Sequence, residues 1–233
     1  MWGETLDATG TAEGARILRD SGVDCISLCF GGLLTGEGED WREANLHRIG
    51  QAATIGARSL VVITGGLPEG STDLAAARDR ACERLATLLP EARGAGVVLA
   101  LEPLHPMVCG FRSVISRVAD ALDMIEEIGR DGLGIAVDSY GLWWDHDLRA
   151  QIARAGSRIV NHHVSDWLRG TRDVRLDRGM PGDGMIDNRT IRGWIEEAGY
   201  DGPVEVEILS EGDWWRRDPD TVVRAILDRL SRL

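Results

Sequence analysis

The sequence predicts an α/β protein, a single (β/α) TIM barrel domain over residues 1–233, on three observations. Apolar runs alternate with amphipathic segments from residue 11 to the end, with no linker long enough to divide domains. Runs such as SLVVIT and VVLALE are apolar at nearly every position, as expected of parallel strands covered on both faces. Four residues of metal-ligating type, Glu102, Asp138, His163 and Glu207, each stand near the C-terminal end of one such run. Ligands on four strands meet only if the strands are parallel and splay around a common axis, and barrel active sites lie at that end. An open doubly wound sheet would not gather them in this way.

Residues 11–21 read as a helix, closed by Gly22 and followed by the strand VDCISLCF and the loop GGLLTGEGED. A helix over 40–55 comes next, with Asp40 as its N-cap, and then the strand SLVVITGG. A long helix over 72–94 starts at Ser71 or Thr72 and leads into the strand VVLALEP. The next helix, 112–128, places Val114, Ile115, Val118, Leu122 and Ile125 on one face. GIAVD, a helix near 147–155 and the strand RIVNHHVSD continue the alternation, and the loop-rich TRDVRLDRGMPGDGMID follows. A helix at 188–198, the strand PVEVEIL and a helix from about 219 to 232 complete the chain, with a short seventh strand expected near DRGMP.

The balance of 26 Lys+Arg against 38 Asp+Glu, a net charge of −12, comes without any basic run. That argues against nucleic acid, whose affinity comes largely from neutralised phosphates. The acidity reads as solubility. Cys25, Cys29, Cys82 and Cys109 have no CxxC or Cys/His zinc spacing and read as packing thiols. The start, MWGETLDATGTAEG, lacks the basic and apolar regions of a signal peptide, and no run approaches membrane-spanning length, so the expected location is cytoplasmic.

Two Glu, one Asp and one His form a hard, oxygen-rich set suited to one Mn²⁺ or Mg²⁺, with Zn²⁺ or Co²⁺ possible through the imidazole. Without a cation the carboxylates would be buried charges lacking partners. His162 and His163 point to opposite faces of their strand, so one of them faces the barrel interior. Glu205 shares the face of Glu207 one layer lower, where it can orient a ligand or make a buried hydrogen bond.

The segments LEPLHP, VDSYGLWWD, HVSDWLR, RGMPGDGMID and GPVEVEIL, in order across residues 15–215, resemble the xylose-isomerase-like TIM barrel superfamily of sugar and sugar-phosphate isomerases and epimerases. The resemblance implies metal ligands at the ends of strands four, five, six and eight, here Glu102, Asp138, His163 and Glu207. It implies a substrate-binding arginine at Arg169, six residues after His163, and a substrate-facing His105. His163 is preferred over His162 on its HxxD pattern and its distance to Arg169. The implied reaction is proton abstraction alpha to a carbonyl through a metal-stabilised enediolate, with Glu102 and Glu207 as the proton-transfer pair and a small polyol or keto-sugar as substrate. A dehydratase or lyase of a cyclic polyol or keto acid uses the same parts. A truncated, non-catalytic relative serving in binding or assembly is the non-enzymatic alternative.

Two features depart from the family pattern. Gly141 stands where the family carries a histidine three residues after the aspartate. Glu102 ends only the third discernible strand, so the chain is expected to lack the first β/α unit, roughly thirty residues of a barrel of about 250. Open strand edges left by that loss invite pairing, so a homo-oligomer is expected. Arg169, Arg172, Arg175 and Arg178 could meet an anion, but four arginines in a loop read as solvent-facing. The tryptophan pairs at 143–144 and 214–215 read chiefly as apolar packing.

Overall fold

Strand and helix alternate along the chain as the hydrophobic pattern dictates. The computed structural model describes residues 1–38 and 40–233; the loop expected at Glu39 lies outside the described residues. Two helices, α1 (Gly3–Thr9) and α2 (Thr11–Ser21), precede β1 (Ser27–Gly32), α3 (Trp41–Thr54), β2 (Ser59–Ile63), α4 (Leu74–Gly94) and β3 (Val98–Leu101). Then come α5 (Val118–Ile128), β4 (Leu133–Asp138), the single turn α6 (Ser139–Leu142), α7 (Leu148–Ala155) and β5 (Ile159–Val164). The two-residue strands β6 (Asp166–Trp167) and β7 (Arg178–Gly179), α8 (Asn188–Glu197), β8 (Val204–Val206) and α9 (Pro219–Leu230) close the chain.

The main sheet is parallel throughout, ordered β1-β2-β3-β4-β5-β8, and curls into a half-barrel with helices outside. Alternation along the strands sends Leu28, Leu60, Leu99, Ile135 and Val137 outward into the core shared with the helices. The inward side chains form layers. At the bottom, Ser27 Oγ donates to Glu205 Oε2 (2.6 Å), Asn161 Nδ2 donates to Glu205 Oε1 (2.9 Å), and Ser59 Oγ donates to Asn161 Oδ1 (2.8 Å). The Ser27–Glu205 bond joins the two edge strands, β1 and β8, across the interior. Above it lies a small apolar layer of Cys29, Val61, Ala100 and Ala136. Glu102, Asp138, His163 and Glu207 follow at the C-terminal end.

The sheet has six strands where a closed barrel has eight. Beside β1, the Met1 amino group donates to the Ser27 carbonyl (3.0 Å), Cys29 N donates to the Met1 carbonyl (2.8 Å), and Trp2 makes one parallel bridge to Cys29. Met1–Trp2 therefore hold a strand-like place on the edge where the expected first unit would pair. The expected seventh strand does form near DRGMP, as β7, but it pairs antiparallel with β6 in a separate ribbon. β5 consequently pairs directly with β8, and the four ligand-bearing strands are consecutive neighbours.

Three helix starts differ from expectation. Asp40 itself has helical backbone angles (φ −72°, ψ −14°) and makes no side-chain cap. An N-cap side chain reaches the first-turn amides from an extended backbone, which Asp40 does not adopt. In α4 the cap is Asp73, extended, accepting from Ala76 N at 3.0 Å, rather than Ser71 or Thr72. α5 begins at Val118, not 112, because the Ser116 and Arg117 amides donate to Asp120 Oδ2 (both 3.0 Å). Ser113 and Val114 are instead pinned to the loop after β2: Val114 N donates to Thr64 Oγ1 (3.0 Å), and Ser113 Oγ lies 3.1 Å from the same atom. Val114 and Ile115 are buried there without being helical.

Candidate active site

The register of β5 and β8 decides which histidine faces inward. His163 pairs with Glu205 and faces the interior, whereas His162 points at the helices, with Nε2 3.5 Å from Ser139 Oγ. Nδ1 of His163 lies 2.9 Å from Glu102 Oε1 and 4.0 Å from Glu207 Oε2, and Nε2 lies 3.6 Å from Glu205 Oε1. Ligand atoms of Glu102, His163 and Glu207 all fall within 4.8 Å of one another.

Asp138 stands beside this trio with both oxygens engaged. Oδ1 accepts from Tyr140 N (3.0 Å), capping the α6 turn, and Oδ2 accepts from Arg178 (3.0 Å). The same Arg178 nitrogen donates to Glu207 Oε2 at 3.0 Å, so one guanidinium bridges two of the four expected ligands. The sequence reading left Arg178 as one of four solvent-facing loop arginines; the structure buries it at 7 % exposure. The other expected arginine, Arg169, is exposed on the turn after β6.

What delivers Arg178 is Asp166, fully buried and the last residue of the HxxD pattern. Its carboxylate accepts from Trp167 N (2.9 Å), Gly182 N (2.8 Å) and Ile186 N (2.9 Å), folding RGMPGDGMI around itself. Gly184 makes this wrapping possible, since a Cβ there would lie 2.2 Å from the Trp167 carbonyl oxygen. The sequence signal for both residues is the short Gly/Pro segment directly after a strand-end aspartate, a place where backbone amides need an acceptor.

His105 sits at the rim, stacked on Trp167 with ring centroids 4.5 Å apart, and its Nδ1 accepts from Met107 N (3.2 Å). Tyr140 stacks on the same indole (5.0 Å) and lies beneath the Arg178 guanidinium (4.3 Å). Gly141 belongs to this wall: a Cβ there would come 3.0 Å from the Pro103 carbonyl oxygen and 3.5 Å from His105 N. The backbone leading from Glu102 to His105 fills the space that a residue-141 side chain would need.

The electrostatics favour an added cation. Burial pushes the carboxyls of Glu102 and Asp138 above the ordinary range, offset only in part by His163 and Arg178 respectively. Burial opposes protonation of His163, yet its hydrogen bond to Glu102 and the nearby carboxylates of Glu205 and Glu207 carry its pKa well above the ordinary value. Glu205 moves oppositely: burial would raise it, but His163, Ser27 and Asn161 hold it down at about 2. Four acids thus converge on His163 and Arg178 at the strand ends, with Arg112 and Arg175 lining the same cleft. Oxygen ligands and one imidazole of this kind fit a divalent cation. Were His163 to hold such a cation, Glu205 would be an outer carboxylate 3.6 Å from its far nitrogen.

A parallel half-barrel with carboxylates and an imidazole at the C-terminal ends of adjacent strands places the protein among (β/α)-barrel proteins with a cation-type site. The chain belongs to the xylose isomerase-like TIM barrel family, whose sequence profile matches residues 3–233. It is 43 % identical to protein SMc04130 from Sinorhizobium meliloti 1021, with 99 % of this chain and 86 % of that one covered at a TM-score of 0.96. It is 29 % identical over 139 residues to the inosose isomerase of Halalkalibacterium halodurans, covering 56 % of this chain. The match spans 46 % of that relative, about half its length. The IOLI protein with a bound zinc atom shares the fold, with 18 % identity, 98 % and 83 % coverage and a TM-score of 0.78.

Proposed function

We propose that the protein is a divalent-cation-dependent isomerase or epimerase of a keto-sugar or polyol-like substrate. The observation that carries this reading is the meeting of Glu102, His163 and Glu207 within 4.8 Å, with Asp138 alongside. These four residues would hold the cation, Asp138 exchanging its Arg178 contact for it. Bound there, a divalent cation supplies Lewis acidity toward a substrate carbonyl and its neighbouring hydroxyl.

The remaining work falls to the chain's own side chains. Glu102 and Glu207 occupy the two ends of the arc formed by β3, β4, β5 and β8, so they flank whatever lies between them. One carboxylate accepts the proton alpha to the carbonyl and the other returns it, to the adjacent carbon for isomerisation or to the opposite face for epimerisation. Glu205 fixes His163 from behind. The His105–Trp167–Tyr140 stack offers an apolar wall against which a sugar face packs and from which water is excluded. With Arg178 spanning Asp138 and Glu207, the cleft measures only ≈ 30 Å³, room for little more than a water molecule.

The inosose isomerase relative supports the reaction class, and the zinc atom bound by the IOLI protein, which shares the fold, supports a cation. The test is metal content of protein purified without chelators, compared with Glu207→Gln and His163→Ala, followed by solvent-deuterium exchange into a panel of ketoses. One divalent ion per chain, lost in both variants, with exchange at the carbon next to the carbonyl, is the expected result. No bound ion in the wild type after incubation with Mn²⁺ overturns the reading.

A further inference from the structure

Three arginines converge on the mouth of the carboxylate cleft, and only one of them has carboxylate partners. Arg112, Arg175 and Arg178 line the same cleft as Glu102 and Glu207. The charge of Arg178 is spent on Asp138 and Glu207. The guanidiniums of Arg112 and Arg175 have no ion pair or hydrogen bond among the described residues. The acids nearest Arg175 in its own loop are engaged with backbone: Asp173 accepts from Arg175 N (2.7 Å) and Leu176 N (2.9 Å), and Asp177 accepts from Arg172 N (2.9 Å).

Both free arginines sit on loops built to hold them. Arg112 is at the tip of the loop after β3, where Leu67 N donates to the Gly110 carbonyl (2.7 Å) and Arg112 N to the Val108 carbonyl (2.9 Å). Gly66 lies so close beneath that a Cβ there would come 2.3 Å from the Phe111 carbonyl oxygen. Arg175 is in the loop leading to β7, tied back by the Asp177–Ser210 bridge. Holding like charges together at the rim of a partly buried cleft is unfavourable unless an anion joins them. Burial, and then the proximity of Arg175 and Arg178, depress the pKa of Arg112, and the charges of Glu102 and Glu207 in the same cleft offset this only in part.

We infer that Arg112 and Arg175 form a subsite for an anionic group on the substrate, a carboxylate or a phosphate carried by the keto-sugar whose reacting carbons lie at Glu102 and Glu207. Planar guanidinium forks match both oxyanions and are the side chains best suited to bind them in two-point fashion. The inference rests on the isomerase reading and deepens it by naming the substrate class: an acidic sugar rather than a neutral one.

The test titrates the full-length protein calorimetrically with D-fructose, D-fructose 6-phosphate and D-gluconate, and the chelator-treated protein with inorganic phosphate. Wild type, Arg112→Gln, Arg175→Gln and Arg112→Lys are compared. The quantity read is the ratio of the Kd for the neutral sugar to that for each anion, because a folding defect lowers both affinities together. The wild type should prefer an anion, and each glutamine variant should lose that preference by roughly tenfold or more, the worth of one charge-assisted hydrogen bond. Arg112→Lys should keep part of it. The phosphate and gluconate arms show which anion the pair selects. Equal affinity for neutral and anionic sugars, with ratios in the glutamine variants within about twofold of the wild type, overturns the subsite. A cation-loaded protein that exchanges deuterium into neutral ketoses but shows no anion preference keeps the isomerase reading and loses the inference. A protein that binds no divalent cation, yet loses phosphate affinity in the glutamine variants, does the reverse.

Discussion

Replacing Asp166 tests how the loop that carries Arg178 is held. Its carboxylate is fully buried and accepts three backbone amides, two of them from residues 16 and 20 positions away. In Asp166→Ala, Gly182 N and Ile186 N lose an ionised acceptor inside the protein. At about 1.5–3 kcal/mol for a bond to a charged group, the two long-range contacts together contribute about 3–6 kcal/mol. For a chain of this size about 1 kcal/mol moves the midpoint by about 2–4 °C, so a drop of about 10 °C is expected. Asp166→Asn keeps one acceptor oxygen and presents an NH₂ group where the other was, so it should lose about half as much. Thermal unfolding followed by circular dichroism measures both variants. Brief trypsin treatment adds a local readout, since cleavage after Arg178 should accelerate once the loop opens. An Asp166→Ala protein that melts within about 2 °C of wild type and resists trypsin equally would refute the anchoring argument.

Two further outcomes follow from close contacts and from charge. Gly141→His, which restores the family's histidine, should lower the melting temperature more than Gly141→Ala and weaken cation binding. Its Cβ would press on the Pro103 carbonyl next to Glu102, at an overpacking cost of about 1–3 kcal/mol. A Gly141→Ala protein that melts with the wild type would count against this contact. Asp7 ties α1 to α3 through Arg48 (2.9 and 2.7 Å) and Gln51 (2.9 Å), and the bonds from Arg48 and Gln51 hold its carboxyl well below the ordinary range. An acid with a depressed folded-state pKa stabilises the fold above its unfolded value and loses that contribution as pH falls. The gap in melting temperature between wild type and Asp7→Asn should therefore begin to shrink at about pH 4–5, where the unfolded acid takes its proton, and close only well below about pH 3, where the folded carboxyl does. It should stay under about 1 kcal/mol because the pair is solvent-exposed. A gap that persists at the acid end would contradict the assignment.

Much of the candidate site was legible because strand parity is a local property. In VEVEI the period of two places Glu205 and Glu207 on one face and the valines on the other, and the apolar runs show where each strand ends. Glu102, Asp138, His163 and Glu207 could therefore be named as a group before any contact was known. The choice between His162 and His163 could not be made from parity, which separates them without saying which faces inward; the register of β5 against β8 makes it. The start of α5 was misplaced for a related reason. Val114 and Ile115 fit the helical period, but bonds from Ser113 and Val114 to Thr64, some fifty residues earlier, hold this segment outside the helix.

Loops carry no period, and there the sequence was least informative. Among four arginines between His163 and the next helix, nothing local separates Arg178, bridging two buried carboxylates, from Arg169, exposed on a turn. The distinction depends on Asp166 gathering amides up to twenty residues downstream, and on Gly184 allowing the backbone to approach. Likewise, Arg112 and Arg175 lie far apart in the chain and meet only because two loops rise from the same end of the sheet. By itself the sequence determined the strand–helix alternation, the parallel sheet and the ligand types at its C-terminal end, since these follow from hydrophobic period and residue chemistry. Only the tertiary structure decided which histidine, which arginine and which strand neighbours form the site, because those depend on register and on hydrogen bonds between distant segments.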